Sequence, residues 1–156
     1  MTIEIPLTQG KVALIDDEDF ERVSQFKWWI AKRRDGKFYA RREMNGKSIF
    51  LHRFLMDAPP GMEVDHKNGD GLNCQRYNMR LATRAGNSKN QNKHSNNTSG
   101  FKGVCFDKKR GKYRAKICAD GVHHHLGFYD DPVDAARTYD AAARKLHGDF
   151  AALNFP

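Results

Sequence analysis

Asp65 and His66 stand side by side, with Asn78 and Asn87 following, in a stretch (residues 64–87) too polar to be a core segment. A carboxylate and a carboxamide are hard oxygen donors, the kind that magnesium or manganese takes. An imidazole has an unperturbed pKa of about 6.5, close to the value wanted of a general base at neutral pH. Strand alternation puts His66 on the opposite side from Asp65, unless the strand turns there. Asn78 can hydrogen-bond across a loop, either closing the segment or orienting the imidazole. Thr83 is placed to N-cap a short helix with Asn87 one turn in. The combination describes a two-strand ribbon and a helix around one metal ion, with a histidine beside it. Each residue alone has an ordinary reading, and Asn68-Gly69-Asp70-Gly71 is first of all a tight turn. Order and spacing together are what carry the chemistry.

The elements that must position these residues are legible in outline. Residues 12–29 read as a short strand and then a helix opened by Asp16 or Asp17, with Phe20, Val23 and Phe26 on its apolar side. Residues 27–34, 37–44 and 47–54 read as three strands, joined by turns at Asp35-Gly36 and Asn45-Gly46. Pro59-Pro60-Gly61 breaks the chain before the polar stretch. Residues 88–99 read as a polar linker. Beyond it, residues 101–107, 112–119 and 122–130 read as strands, the last two joined at Asp120-Gly121. A helix follows, with Asp131 as N-cap, Pro132 in its first turn and Gly148 as its stop. Tyr113, Ala115, Ile117, Val122, Leu126 and Phe128 are expected on the sheet face against this alanine-rich helix. Arg114, Lys116, Cys118, His123 and His125 are expected on the other, with Cys118 opposite His123 and Lys116 opposite His125.

Charge narrows the partner. The 156 residues carry 27 Lys and Arg against 19 acids, a formal net charge of +8, which favours a polyanion and nucleic acid first. Two basic runs, residues 32–53 and 88–118, alternate with apolar residues, as cations on strands would. No apolar run approaches a bilayer span, so no membrane role is expected. Three cysteines without a CxxC pair fit a reduced, cytoplasmic setting. Cys105, Cys118, His123 and His125 share a face, but their spacing matches no standard zinc finger, and zinc is not expected.

Leu51-His52-Arg53, Val64-Asp65-His66, Asn68-Gly69, Asn78-Met79-Arg80 and Asn87 together resemble the His-Asn-His (HNH) nucleases of the homing and phage type. The likeness covers about residues 50–92, with Cys74 where such sequences usually carry a second asparagine. It implies a ββα-metal domain within residues 1–87, with Leu51-His52-Arg53 on a strand. It further implies that Asp65 and Asn87 bind one divalent cation, Mg2+ or Mn2+. His66 activates water and Asn78 holds its loop. The implied reaction is phosphodiester hydrolysis to a 5′-phosphate and a 3′-hydroxyl, and a monomer would nick one strand. His52 is read as a packed strand histidine, with phosphate contact or support of the site as alternatives.

Residues 100–156 resemble the ethylene-response-factor (APETALA-type) DNA-binding domain. The likeness rests on Lys102-Gly103-Val104, Gly111-Lys112-Tyr113, Leu126-Gly127-Phe128, Asp134-Ala135-Ala136, Tyr139-Asp140-Ala141-Ala142 and Leu153-Asn154-Phe155. It implies a three-stranded sheet that reads double-stranded DNA and a helix that supports it. Arg114 and Lys116 are the expected base or phosphate contacts, joined by His123 and His125, with Lys102, Lys108, Lys109 and Arg110 on the backbone. The expected whole is α+β: a ββα-metal nuclease preceded by a small antiparallel sheet, then a three-stranded sheet packed on one helix. The expected function is a DNA endonuclease targeted by its C-terminal half, needing no small-molecule cofactor. The alternative is a DNA-binding regulator whose nuclease half is a relic.

Overall fold

The structure is a computed structural model describing residues 1–90 and 97–156. The centre of the expected linker, with Lys93, lies outside the described residues. The chain divides into two compact units, Met1–Arg84 and Ala85–Pro156, and the fold is α+β.

In the first unit β1 (Thr2–Pro6) pairs antiparallel with β2 (Val12–Asp16). A single turn of 3-10 helix leads into α1 (Phe20–Ser24). The helix thus starts later than the aspartates suggested, and Asp16 does not cap it. Its carboxylate instead accepts hydrogen bonds from the Arg76 backbone N–H (2.8 Å) and Gln75 Nε2 (3.2 Å). Val23 is fully buried as expected, whereas Phe20 is exposed.

Next come β3 (Trp29–Lys32), β4 (Phe38–Met44) and β5 (Lys47–Phe50), an antiparallel sheet in the order β3-β4-β5. The Asn45-Gly46 turn forms with both residues at positive φ (52° and 71°), the two-residue geometry that this dipeptide favours. The third strand ends sooner than expected. Leu51-His52-Arg53 is not strand but the start of a helix, α2 (Leu51–Leu55). The reason is the spacing of Leu51, Phe54 and Leu55, one helical face. Leu51 and Leu55 are fully buried, each worth roughly 1.5–3 kcal/mol of burial.

The basic run 32–53 is likewise not one surface. Neighbours on β4 point to opposite faces, so Arg42 is buried with its guanidinium 3.6 Å from the Phe26 ring centre, while Arg41 lies on the other side. Arg53 turns back, donating to the carbonyls of Met62 (2.6 Å) and Ala58 (3.1 Å). It fixes the Pro59-Pro60-Gly61 turn that delivers the chain into β6 (Glu63–His66), which pairs with β7 (Met79–Ala82). Then comes α3 (Arg84–Lys89).

In the second unit β8 (Val104–Asp107), β9 (Lys112–Ala119) and β10 (Val122–Tyr129) form a sheet in the order β10-β9-β8. Helix α4 (Pro132–His147) packs on it. Asp131 caps α4, its side chain accepting from the Val133 N–H at 2.7 Å, with Pro132 at the first position and Gly148 at the stop. Ala135, Ala136 and Ala143 are fully buried, so backbone and sheet approach closely. The unit is closed by Asn154, which accepts from the Lys102 N–H (2.7 Å) and donates to the Lys102 carbonyl (3.2 Å) and to the buried Asp140 carboxylate (3.0 Å).

The Asp120-Gly121 turn sets Cys118 opposite His123 and Lys116 opposite His125, as expected. Beyond His125 the register shifts by one residue, because Leu126 is a β-bulge. The expected face for Phe128 is therefore wrong. Phe128 pairs with Arg114 on the outer face, and Tyr129 takes the inner place against Val104, Ala135 and Ala136. Val122, expected inside, is 56% exposed at the hairpin end.

Candidate active site

The register of β6 and β7 puts Asp65 opposite Arg80 and His66 opposite Met79. Both site residues are buried, Asp65 at 4% exposure and His66 at 5%. A buried carboxylate needs a charge partner, and Arg80 supplies it, its Nε lying 2.7 Å from Asp65 Oδ2. That pairing crosses from one strand to the next, and only the strand register reveals it.

The ring of His66 lies 5.1 Å from that of His52, edge to face, and 6.0 Å from that of Tyr39. Tyr39 in turn meets His52 at 5.4 Å, and Phe50 stacks on His52 at 5.5 Å. His66 Nε2 stands 3.9 Å from Cys74 Sγ. Burial pushes the His66 imidazole down to about 4, against the opposing pull of Asp65 and Asp70. Burial pushes His52 down to about 3, with the His66 and Arg53 charges adding to it. Both rings are therefore neutral at pH 7 and able to accept a proton. Burial also pushes the Cys74 thiol far up, so it stands beside His66 as a neutral thiol.

The loop from Lys67 to Asn78 is held as one piece by its last residue. Asn78, 2% exposed, donates to the Asn73 carbonyl (2.8 Å) and accepts the Asn68 N–H (3.1 Å) through its side chain. Its own carbonyl accepts from Lys67 N–H at 2.8 Å. Asn68 and Asp70 continue the chain of short bonds, accepting from the N–H groups of Asp70 and Leu72. Strand β2 pins the far side, with Leu14 N–H to Leu72 O and Cys74 N–H to Leu14 O, both 2.8 Å. Gly71 lies so close to β4 that a Cβ there would sit 2.4 Å from the Phe38 carbonyl oxygen and 2.5 Å from the Tyr39 ring. Sequence reading missed Tyr39, Gly71, Asp16 and Arg80 as parts of this frame. The alternation of β4 was the one signal for Tyr39.

A sequence profile of the HNH endonuclease family matches residues 57–89, the span from the Pro-Pro-Gly turn to the end of α3. An uncharacterized HNH endonuclease of Acanthamoeba polyphaga mimivirus is 29% identical over 152 residues, covering 94% of this chain and 76% of that one. Protein 3.8 of Escherichia phage T7 is 38% identical over 93 residues, covering 60% of this chain and 76% of that one. The chain belongs to the HNH endonuclease family. It is a nuclease, a hydrolase of ester bonds. An ethylene-responsive transcription factor of Arabidopsis thaliana is 42% identical over 78 residues, which are 47% of this chain and 29% of that protein. No solved structure matches the chain.

In this HNH endonuclease the remaining expected site residues fall in the second unit. Asn87 lies on α3. A cation of the magnesium class needs only one or two protein oxygens and completes its shell with water and phosphate. Asp65 and Asn87 fit that demand by donor type. Among the described residues no three or more His, Cys, Asp or Glu side chains cluster as a metal-holding group.

On the outer face of β8–β10, Arg114 is half-buried, with Nη2 3.5 Å from Cys105 Sγ, while Lys116, His123 and His125 are exposed. Lys108, Lys109 and Arg110 occupy the exposed β8–β9 turn. Arg110 reaches the ring of Phe128 at 4.6 Å, and His125 meets the same ring at 4.7 Å. Lys102 is placed differently from expectation. It is half-buried, with Nζ donating to the Lys89 carbonyl at 2.9 Å, and burial pushes it down to about 8. Among the described residues no helix is long and apolar enough to cross a membrane.

Proposed function

We propose that this HNH enzyme is a metal-dependent DNA endonuclease that nicks one strand of double-stranded DNA, leaving a 5′-phosphate and a 3′-hydroxyl. His66 takes the proton from the attacking water. Asn78 keeps the His66 loop closed, so the imidazole meets the water in one orientation. Arg80 holds the Asp65 carboxylate in place, and Asp65 and Asn87 are the oxygen donors for one Mg2+ or Mn2+. That ion, when bound, neutralises the phosphate and stabilises the departing 3′-oxygen. The second unit binds the duplex through the outer face of β8–β10, with Arg114, Lys116, His123 and His125 as contacts and Lys108, Lys109 and Arg110 along the backbone. The enzyme works as a monomer, without a small-molecule cofactor.

The observation that carries this reading is the buried, neutral His66, adjacent to a carboxylate fixed by Arg80 and enclosed by a loop tied off at Asn78. A histidine so enclosed is held in one orientation and is neutral at pH 7, so it can take a proton, while its burial makes it a weaker base than a free imidazole. The test is incubation of the purified chain with supercoiled plasmid and magnesium or manganese, with and without chelator. Open circles bearing 5′-phosphate ends, absent in chelator, are expected, with manganese at least as effective as magnesium. An intact plasmid under all metal conditions would overturn the proposal.

A further inference from the structure

The sheet β3-β4-β5 has a face that its own unit covers only in part, with Gly71, His52 and His66 packed on its Tyr39 end. Registers of the three strands align Trp29, Arg41 and Phe50 in one row across it. Tyr39 lies on the same face, two residues before Arg41, and touches both His52 and His66. Trp29, Tyr39, Arg41 and Phe50 are all half-buried, and none of these aromatic rings joins the unit's hydrophobic core, which is built around Trp28, Leu51 and Leu55.

Charge is left over on this face as well. Arg41 donates from Nη1 to Ser48 Oγ at 3.2 Å, while its buried Nε has no acceptor. A buried guanidinium N–H without an acceptor is costly, and an arriving phosphate oxygen would satisfy it. Two further cations act on the same place. The Arg33 charge reaches Tyr39 and His52, and the Lys37 charge reaches His66. Among the described residues, no carboxylate forms an ion pair with Arg33, Lys37 or Arg41. The acids in reach are Asp35 in the hairpin turn, Asp65 and Asp70 at the site, and Glu43, two residues beyond Arg41 on the same face and opposite Ser48.

We infer that this face, with Arg41 at its centre and Arg33 and Lys37 on the β3–β4 hairpin, is the first unit's own binding surface for the DNA phosphodiester backbone. The inference rests on the nuclease reading above. Arg41 takes a phosphate oxygen through its guanidinium, which turns to bring the unpaired Nε–H out to the ligand, with Trp29 and Phe50 as flanking ring surfaces. Tyr39 links this surface to His66, so the strand held by Arg41 is led to the base. The surface is independent of the second unit and reads charge and shape rather than sequence.

The test measures binding of a short duplex of arbitrary sequence to the full-length chain, in chelator, across a salt series. Arg41→Gln keeps most of the side chain and should flatten the log–log salt slope by about 0.9; Arg33→Gln, Lys37→Gln and Arg41→Gln together should flatten it by about 2.7. Lys32→Gln, on the opposite face over Phe38, is the control and should leave the slope unchanged. In parallel, phenylglyoxal should modify Arg41 in the free wild-type chain and be blocked by the duplex, a readout that needs no variant to fold. A triple variant with the wild-type slope, a control as damaging as the triple variant, or an Arg41 unprotected by DNA would overturn the inference while plasmid nicking by wild type left the nuclease reading standing. A wild type that neither binds the duplex nor nicks plasmid would overturn both.

Discussion

His66 lies beneath Tyr39 and beside His52, whereas His123, His124 and His125 stand exposed along β10. The first unit encloses its polar chemistry: Asp65, His66, Asn73 and Asn78 are all buried and tied to one another's loop. The second unit buries alanines together with Asp140 and His147, and turns His123, His124, His125 and most of its basic groups outward. The contrast separates two demands. A proton acceptor must be stripped of water and fixed in one orientation, so it has to be built into an interior. On the proposed reading, the second unit meets DNA with an exposed sheet face, whose donors need no enclosure. The small β3-β4-β5 sheet stands between these extremes, with half-buried aromatics around a cation.

The sharpest way to break the contrast is to delete one histidine from each side. His66→Ala should lower plasmid cleavage by about 10²–10⁴-fold while duplex affinity in chelator stays near wild type. His125→Ala should leave the cleavage rate on arbitrary plasmid almost unchanged. Equal losses from the two variants, measured in single-turnover assays, would erase the distinction.

Next in size is the loop tie. Asn78→Ala strands the Asn73 carbonyl in a buried place and removes the acceptor of the part-buried Asn68 N–H, and should cost about 1–3 kcal/mol of stability in urea unfolding. Asn78→Asp keeps the acceptor for Asn68 but not the donor to Asn73, and should fall between alanine and wild type. A stability unaffected by alanine would mean that the loop is held without Asn78.

Titration offers a finer probe. His66 and His52 are lowered to about 4 and about 3 in the fold, and an unfolded imidazole sits near 6.5. Between those values the unfolded chain binds more protons than the folded one, so stability rises with pH there. The contribution is fully present above pH 6.5 and is lost as pH falls toward 4. Urea midpoints measured in chelator at pH 7, 6 and 5 should therefore decline, and His52→Phe should shallow the decline. A flat profile would mean that the two rings are not enclosed.

The smallest effect belongs to the outer sheet. Arg114→Ala should weaken duplex binding modestly and spread cutting away from preferred sites, leaving the rate on arbitrary plasmid intact. Mapping cleavage positions on a linear fragment checks it. Unchanged positions and affinity would remove Arg114 from DNA recognition.

Much of this was legible in the sequence. The Asn-Gly and Asp-Gly turns, the Asp131-Pro132 helix start and the Gly148 stop each depend on a few adjacent residues, and each formed where read. The pairing of Cys118 with His123 followed from turn length alone. What failed depended on a competing pattern or on distant partners. Leu51, Phe54 and Leu55 carry helical spacing at the end of a strand-like run, and burial decided for the helix. A single extra residue at Leu126 reversed the faces of Phe128 and Tyr129, and the one local signal for it is Gly127 inside the strand, at positive φ. In the candidate site, Asp65, His66 and Asn78 were visible as types in order. Arg80 on Asp65 and Tyr39 against His66 were not, since both follow from strand register and packing.

Asn154 has a consequence beyond stability. It joins the backbone of Lys102 to the buried Asp140, so the stretch from 102 to 154 begins and ends at one side chain. A folded segment with coincident ends behaves as a cassette. It can be spliced into an exposed turn of an unrelated host without stretching either partner, or be reopened elsewhere by circular permutation. Modular exchange between genes therefore places little mechanical demand on this half of the enzyme.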